Sequence, residues 1–293
     1  MDQNSERIPR SSWREMQVRP EQQEDPRDVE ISLHSPARIF NGKYKRVPAV
    51  DKCFAMLHLL AGSEQPLGIS DMACALRMNK STVFNLAHTL SDLAVLERVP
   101  QNKFRFGTTL YLLGRAAAKK SELIQLVHPY LKEINQRTKL SAFLGIRSGR
   151  TAVIVDKVDS AFDIKISSEV GMEISLLAGA GGKALLSLLP DNEVEEILSS
   201  GKLPRFTPNT CTGKATYRRM IQRVREEGIA LDREEYIDGV FAFAVPIRSK
   251  REGVQAAIWA VGLKNFVSEP VIPEYSVYLK QVAAKIESRL FVG

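Results

Sequence analysis

Apolar side chains recur at three- and four-residue steps through residues 67–93, in two short segments that a polar turn separates. Ser70 is placed to cap the first segment as a helix and Asn79 to cap the second, since short polar side chains satisfy the free amides of a first turn. The buried stripes would be Ile69, Met72, Ala73 and Leu76, then Val83, Leu86, Ala87, Leu90 and Leu93. The pattern predicts two helices joined by a tight turn.

The opposite face of the second predicted helix carries a lysine, short hydroxyls, an amide and an imidazole. These residues are Lys80, Ser81, Thr82, Asn85, His88 and Thr89. Such groups suit phosphate oxygens and base edges in a major groove, where the second helix of a helix-turn-helix lies. The pattern therefore favours a DNA-reading motif. The alternative is an amphipathic helical hairpin whose polar face only meets water.

Residues 96–107 alternate between apolar and polar, pause at a Pro-Gln-Asn turn and resume as Lys-Phe-Arg-Phe. This pattern predicts a two-stranded hairpin, or wing, directly after the two helices. Arg98, Lys103 and Arg105 would lie along it, where they could contact phosphates or a minor groove. The alternative for each cation is an exposed charged edge that resists aggregation.

The rest of the chain alternates predicted helices and strands. A helical connector over 108–120 precedes a helix over 121–138, which Ser121 would cap and Pro129 would kink or restart. Strands are predicted at 141–146, 151–158, 162–167, 239–248 and 254–262, and helices at 179–189, 191–199, 214–227 and 273–290. Hairpins surrounded by helices predict a mixed α+β domain with a largely antiparallel sheet.

Composition narrows the class of protein. The 293 residues can bury one large or two ordinary cores, and 44% hydrophobic with 26% charged residues is normal for a soluble protein. Residues 1–46 mix opposite charges with few apolar positions, so a disordered tail is predicted. No apolar run reaches membrane-spanning length and no secretion signal is evident, so a cytoplasmic location without a membrane partner is expected. A net charge of +7 fits a polyanion partner only weakly.

Nothing in the pattern favours an enzyme. The three cysteines, Cys53, Cys74 and Cys211, lie far apart without paired metal-ligand spacing, so they are interpreted as reduced thiols. None of the four histidines stands beside a nucleophile motif or a paired metal ligand. No cofactor or metal site is predicted. A protein-interaction module, in which the winged helix binds a partner protein, stays open; salt-dependent binding to duplex DNA would separate the two functions.

Several short motifs occur in the order and spacing of one protein family. They are Lys80-Ser81-Thr82-Val83, the wing ending Phe104-Arg105-Phe106-Gly107, then Gly182-Lys183-Ala184-Leu185-Leu186, residues 224–230, and Asp232-Arg233-Glu234-Glu235 followed by Gly239-Val240 and Pro246. Over about residues 48–290 the chain resembles the IclR family of bacterial transcriptional regulators. The resemblance implies an α+β chain with a winged helix-turn-helix over 47–107, a linker helix over 108–120 and a GAF-like, mixed α/β effector-binding domain over 121–293.

The resemblance also implies a homodimer or homotetramer that binds a partly palindromic operator, with a small molecule altering its DNA affinity. Physical reasoning supports two copies, because one winged helix reads only a few base pairs. The alanine-rich connector over 108–120 is the expected contact between copies. Packing of the same alanines within one chain is the alternative.

An effector pocket is implied between a turn of small residues and the later strands. Carried over by the resemblance, the turn is Ala178-Gly179-Ala180-Gly181 and the acidic pocket residue is Asp232. Open backbone amides at such a helix start suit a carboxylate or carbonyl oxygen. The alternatives are close helix-to-sheet packing for the small residues, and a surface or helix-capping role for Asp232.

The chain departs from members that bind small keto acids, which carry a cysteine and two serines where this sequence has Ala242, Trp259 and Val261. That exchange removes hydrogen-bonding capacity and adds apolar surface, so a larger, flatter or more apolar effector is predicted. Phe162 and Phe243 are further candidates for the pocket, each with plain core packing as the alternative. A different possibility is that Trp259 fills the cavity and the domain has no ligand.

The recognition helix departs from the family pattern as well, which most often continues Lys-Ser-Thr-Val with His-Arg. Phe84 and Asn85 take those places. An arginine that reads guanine is therefore absent, whereas an asparagine can pair with adenine and a phenyl ring can contact a thymine methyl group. The matching step of the operator half-site is predicted to be A·T rather than G·C.

Overall fold

The computed structural model describes residues 45–160, 162, 166, 168–248 and 255–290. The tail predicted over 1–46 lies outside the described residues except for its last two positions. The chain separates into two compact units, Met1–Thr109 and Leu110–Gly293. No helix within the described ranges is long and apolar enough to cross a membrane.

The described part of the first unit, from residue 45 onward, contains three helices and a small antiparallel sheet. The helices are α1 (Pro48–Ala61), α2 (Ile69–Ala75) and α3 (Lys80–Asp92), and the strands are β1 (Leu67–Gly68), β2 (Leu96–Val99) and β3 (Lys103–Phe106). The strands lie in the order β1-β3-β2, so the predicted wing pairs with the residues just before α2. Met56, Met72, Val83 and Phe104 form the centre of a core between helices and sheet. The predicted winged helix-turn-helix is confirmed.

The helix starts differ in detail from the prediction. Helix α2 begins after Gly68, whose N–H donates a hydrogen bond of 2.9 Å to Asp71 Oδ2, so Ser70 lies inside the helix and is not its cap. Asn79 precedes α3 as expected, but its side chain makes no capping hydrogen bond. At the far end of the wing, the Gly107 N–H donates to the Val95 carbonyl over 2.9 Å, which ties β3 to the end of α3.

Among the described residues, six helices surround the larger sheet or lead into it. They are α4 (Thr108–Lys120), α5 (Glu122–Thr138), α6 (Gly179–Ser187), α7 (Asp191–Ser199), α8 (Lys214–Glu227) and α9 (Val271–Leu290). Ser121 caps α5 as predicted, since its side chain accepts a hydrogen bond from the Ile124 N–H. The helix does not restart at Pro129, because α5 continues through it. A proline inside a helix removes one backbone hydrogen bond, and here it lies between the buried residues Val127 and Tyr130.

The second unit is built on a six-stranded antiparallel sheet. Its strands are β4 (Ser141–Ser148), β5 (Thr151–Val158), β6 (Glu173–Ser175), β7 (Ala230–Arg233), β8 (Val240–Ile247) and β9 (Ala256–Leu263), in the order β6-β5-β4-β9-β8-β7. The predicted α+β class with an antiparallel sheet is confirmed. The short edge strands β6 and β7 were not predicted from the sequence. Phe162 and Ile166, the described residues of the strand predicted over 162–167, are not in a strand.

Alternation along the central strands divides the side chains between two cores. Phe241, Phe243 and Val245 of β8 face the core that α5 and α9 cover. Ala242 and Ala244 face the core that α6, α7 and α8 cover, and Trp259 of β9 joins them there. Phe243, completely buried on the α9 side, is therefore core, while Ala242 and Trp259 share the face on which α6 begins.

Candidate functional site

Helix α3 presents the predicted polar face away from the core of the first unit. Val83, Ala87 and Leu90 are buried beneath it. The residues exposed on the outer face are Lys80, Ser81, Phe84, Asn85 and Thr89, and those half-buried at its margins are Thr82 and His88. A helix that shows hydroxyls, an amide and a lysine in this way can enter a major groove without disturbing its own packing.

A chain of aromatic ring contacts runs from the surface of α3 to the wing. The Phe84 ring, 50% exposed, lies 4.2 Å from the His88 ring, centroid to centroid. The His88 ring meets the buried Phe104 ring edge-on, with centroids 5.8 Å apart. His88 thus has a phenyl ring on each side. Lys80, Ser81, Asn85 and Thr89, which were predicted to lie on the same polar face, are exposed.

The wing has two chemically different faces. Arg98 pairs with Phe104 in the register of β2 and β3, so its side chain leaves the sheet on the side of the core and of α3. Lys103 and Arg105 alternate with Phe104 and leave on the other side. There Arg105 makes two hydrogen bonds of 3.1 Å to the Glu97 carboxylate, which lower the pKa of Glu97 and compensate the positive charge of the arginine. Arg98 instead donates to the amide oxygen of Asn102 over 3.1 Å.

The second unit contains a cavity between the start of α6 and the sheet. Seven of the eight residues predicted for an effector pocket line it: Ala178, Gly179, Ala180, Asp232, Ala242, Trp259 and Val261. The cavity volume is about 60 Å³, enough for a few water molecules at roughly 10–15 Å³ each. Its walls are mainly apolar, and none of the described lining residues is basic.

Phe162 lies elsewhere. Its ring stacks on Phe266 with centroids 4.0 Å apart and packs against the core on the α9 side of the sheet. Phe162 therefore lies outside the cavity. The strand pattern assumed for 162–167 did not predict this, because Phe162 is not in a strand. Phe143, Ile174 and Tyr236 line the cavity and were missed. Alternation in β4 was a usable signal for Phe143, since it points opposite to Ala142 and Leu144.

The small-residue turn allows a carboxylate to approach the start of α6. Gly179 has φ of +62°, and a Cβ there would lie 2.9 Å from Asp232 Oδ2. Glycine is therefore required both for the backbone conformation and for the close approach. No side chain caps α6, so its first amides remain available on the cavity side.

Asp232 is the acidic group of the cavity. Only 3% of it is exposed, and its Oδ1 accepts a hydrogen bond of 2.6 Å from the Glu235 N–H. Burial raises the pKa of Asp232 to about 6, although that hydrogen bond and the charge of Lys183 act in the opposite direction. Lys183 is itself held by the Leu231 carbonyl at 2.6 Å and by Glu235 Oε1 at 2.8 Å. With this pKa the carboxyl is mostly ionised at neutral pH, so the cavity contains a buried negative charge that costs the folded state free energy.

Two glycines make room for the Trp259 indole, which forms one wall of the cavity. A Cβ at Gly145 would overlap the ring, and a Cβ at Gly181 would lie 3.1 Å from its Cε3 atom. The Phe143 ring lies on the same side, 6.2 Å from the indole by ring centroids. Trp259 therefore fills the space that Gly145 and Gly181 leave beside the cavity. No group of three or more metal-ligating side chains occurs among the described residues.

A winged helix with an exposed polar recognition helix, followed by a unit that holds a cavity, defines the class of DNA-binding regulators with a ligand-sensing domain. Two family models match this chain: "IclR helix-turn-helix domain" over residues 49–100 and "Bacterial transcriptional regulator IclR C-terminal" over residues 115–288. The chain therefore belongs to the IclR family of DNA-binding transcriptional regulators, whose C-terminal domain binds an effector.

Curated relatives are regulators as well. The chain is 30% identical over 246 residues to the transcriptional regulator KdgR of Escherichia coli, covering 83% of this chain and 93% of that protein. It is 28% identical over 204 residues to the regulator TtgV of Pseudomonas putida, covering 69% of this chain and 77% of that protein. These names describe regulators rather than enzymes.

Solved structures share the fold. An IclR regulator from Alicyclobacillus acidocaldarius has a TM-score of 0.74 at 24% identity, covering 84% of this chain and 100% of that one. An IclR homologue from Microbacterium hydrocarbonoxydans, solved as a complex with 4-hydroxybenzoate, has a TM-score of 0.68 at 24% identity over the same shares of the two chains. At this identity the likeness concerns the fold alone.

Proposed function

We propose that this protein binds an operator through α3 and the wing, and that its operator affinity changes when a small molecule occupies the Asp232 cavity. The exposed polar face of α3 is the observation that carries the DNA-binding part. Since the target would be chromosomal DNA, the protein acts in the cytoplasm. A winged helix that binds a partner protein, and a regulator whose cavity is filled by Trp259, are the competing functions.

In this proposal the first turn of α3 contacts the DNA backbone and its second turn reads bases. Lys80, Ser81 and Thr82 approach phosphate oxygens, while Asn85 forms a bidentate pair with an adenine. Thr89 continues the same face one turn further. Selection of binding sites from random DNA should return an adenine at the Asn85 step. An invariant guanine at that step contradicts this assignment.

The wing contributes unequally through its cations. Arg98 emerges on the side of α3, so it is the arginine that contacts a phosphate when α3 is in the groove. Arg105, which the sequence grouped with it, is paired with Glu97 on the other side. Arg105 and the neighbouring Lys103 contact DNA only where the duplex bends around the wing or where a phosphate replaces the Glu97 carboxylate.

Salt dependence tests DNA binding directly, because each neutralised phosphate releases counterions and steepens the fall of affinity with salt. The exchange Lys80→Ala should weaken binding to all sequences and reduce the slope of log affinity against log salt by about one. Lys52→Ala, at an exposed position of α1, is the matched control for loss of one positive charge. Salt-independent binding to duplex DNA would favour the protein-interaction function.

We further propose an effector that is flat and largely apolar with a small polar end, in contrast to a small keto acid. Its polar end contacts Asp232 or the free amides of α6, and its flat part lies against Trp259. The Microbacterium homologue holds 4-hydroxybenzoate, a ligand of this kind. A cavity of about 60 Å³ is smaller than the roughly 150 Å³ cavity that binds benzene, so Trp259 has to move when a ring enters.

A thermal-shift screen of aromatic acids, phenols, keto acids and sugar acids tests this part, since a ligand of the native state raises its melting temperature. The exchange Ala242→Val narrows the cavity and should abolish the shift of any active compound. Ala244→Val is the matched control, because Ala244 is buried on the same face of β8 but does not line the cavity. Normal DNA binding without a shift from any compound favours the function in which Trp259 fills the cavity.

Two copies are expected to join through α4. None of the residues of this helix is buried, and Tyr111, Leu112 and Leu113 are 59–68% exposed. Three exposed, large apolar side chains on a helix without buried residues suit a contact with the same helix of a second copy. Sedimentation should show a homodimer or homotetramer, and Leu112→Glu should dissociate it or weaken it. A strict monomer on and off DNA contradicts this proposal.

A further inference from the structure

Phe84 is a large apolar side chain on an otherwise polar face of α3. Half of it is exposed, in line with Lys80, Ser81 and Asn85. A single exposed apolar residue needs no explanation by itself. Here, however, the ring is held by contacts that lead into the core of the winged helix.

His88 provides the first contact, one helical turn after Phe84. The two rings are 4.2 Å apart by centroids and inclined by 41°. His88 meets the Phe104 ring at 81° on its other side, with 5.8 Å between centroids. Phe104 is 1% exposed and belongs to the wing strand β3, so it is fixed by the core. The exposed Phe84 ring therefore packs on His88, and His88 packs in turn on the buried Phe104 of the wing.

We propose that His88 is a positioning residue that holds the Phe84 ring outward, where it contacts the methyl group of one operator thymine. This inference rests on the proposed binding of DNA by α3. A phenyl ring alone on a helix surface would sample several rotamers, and each would have to be frozen on binding. The imidazole wedged between Phe84 and Phe104 removes most of that cost before DNA arrives.

The placement of His88 favours this role over a direct contact with DNA. The polar residues beside it on α3, Asn85 and Thr89, are exposed, whereas His88 is half-buried between two rings. A reading residue needs its polar atoms free for a base or phosphate. His88 instead presents its ring faces and edges to the neighbouring aromatics, so its shape matters more than its hydrogen-bonding capacity.

The test begins with selection of binding sites from random DNA by the full-length protein. Each thymine of the selected half-site is then replaced in turn by uracil, which removes only the 5-methyl group. At one thymine the wild type should lose about fourfold in affinity per half-site, the factor that corresponds to one buried methyl group. Phe84→Ala should bind the thymine and uracil sites with equal affinity.

The variants of His88 separate positioning from direct contact. His88→Ala should reduce the thymine-to-uracil ratio from about fourfold to less than twofold. His88→Phe and His88→Tyr keep a ring and should restore the ratio, whereas His88→Gln keeps hydrogen bonding without a ring and should not. His58→Ala, at an exposed position of α1, is the matched control and should keep the full ratio. Thermal melting of each variant verifies that the winged helix is folded.

The outcomes distinguish this inference from the proposed function. If no sequence is selected and duplex DNA is not bound, the proposed function fails first. If a site is selected but no thymine shows a Phe84-dependent ratio, only the inference is overturned. It is also overturned if His88→Ala keeps the wild-type ratio, or if His88→Gln restores the ratio while both ring-bearing variants do not.

Discussion

Replacing Asp232 by asparagine should stabilise the second unit at neutral pH. The folded chain raises the pKa of this carboxyl from its ordinary value of 3.8 to about 6, chiefly because it is buried. One pKa unit corresponds to about 1.4 kcal/mol, so full ionisation costs the folded state about 3 kcal/mol. The amide of Asp232→Asn carries no charge and still offers an oxygen to the Glu235 N–H.

The gain should depend on pH in a defined way. Because the folded-state pKa lies above the unfolded value, the folded chain binds this proton more tightly than the unfolded chain does. The stabilisation by this proton is complete below about pH 4 and is lost as the pH rises through about 6. The free energy of unfolding of Asp232→Asn, relative to that of the parent, should therefore increase by about 2.4 kcal/mol between pH 4 and pH 7.

Urea unfolding followed by tryptophan fluorescence measures this difference. The chain has two tryptophans, Trp13 and Trp259, so a Trp13→Phe background makes Trp259 the reporter of the second unit. Asp92→Asn, at an exposed position of α3, is the control for loss of one negative charge. If Asp232→Asn is less stable than the parent by a constant amount at every pH, the carboxylate is not a costly buried charge and the reasoning is refuted.

Three further exchanges have definite expected results. Gly107→Ala should lower the unfolding free energy of the winged helix by about 1–3 kcal/mol in thermal melts, because its Cβ would overlap the Ala94 carbonyl oxygen; an unchanged melting temperature contradicts this. Glu97→Gln removes the carboxylate that pairs with Arg105, so it should raise DNA affinity at low salt and steepen the slope of log affinity against log salt by up to about one. If anisotropy titrations show an unchanged slope, Arg105 contacts no phosphate. Trp259→Ala should lower the free energy of unfolding by about 3–5 kcal/mol, because it removes a buried indole. Added indole should then raise the melting temperature of this variant but not of the wild type. Equal shifts in both proteins would mean that the substitution does not create a cavity that binds indole.

The winged helix could be predicted from the sequence because its signals are local. The apolar stripe of α3 and the alternation of β2 and β3 each lie within a dozen residues, and the core of this unit uses those positions. The local pattern could not show which polar side chains of the wing are held in ion pairs within the protein. Arg98 and Arg105 look equivalent along the wing, yet cross-strand register pairs Arg105 with Glu97 and places Arg98 on the other face.

The cavity was predicted in outline through the family resemblance and not through spacing. Gly179, Asp232 and Trp259 are far apart in sequence, and they meet because β9, β8 and β7 are neighbours in the sheet and α6 begins over that face. Phe162 was misplaced because its segment has no periodic pattern, and its ring packs on the other side of the sheet. Phe143 was missed although its alternation in β4 was available.

By itself, the sequence determined the helices and the central strands, though not the edge strands β6 and β7, because apolar periodicity decides which face of an element is buried. It also determined the departures that distinguish this chain: Phe84 and Asn85 on α3, and Ala242, Trp259 and Val261 in the cavity. The tertiary structure alone decided how these side chains are used. The Phe84 ring contacts His88, and the space left by Gly145 and Gly181 admits Trp259. Both depend on distances between residues remote in the chain, which only the packed fold specifies.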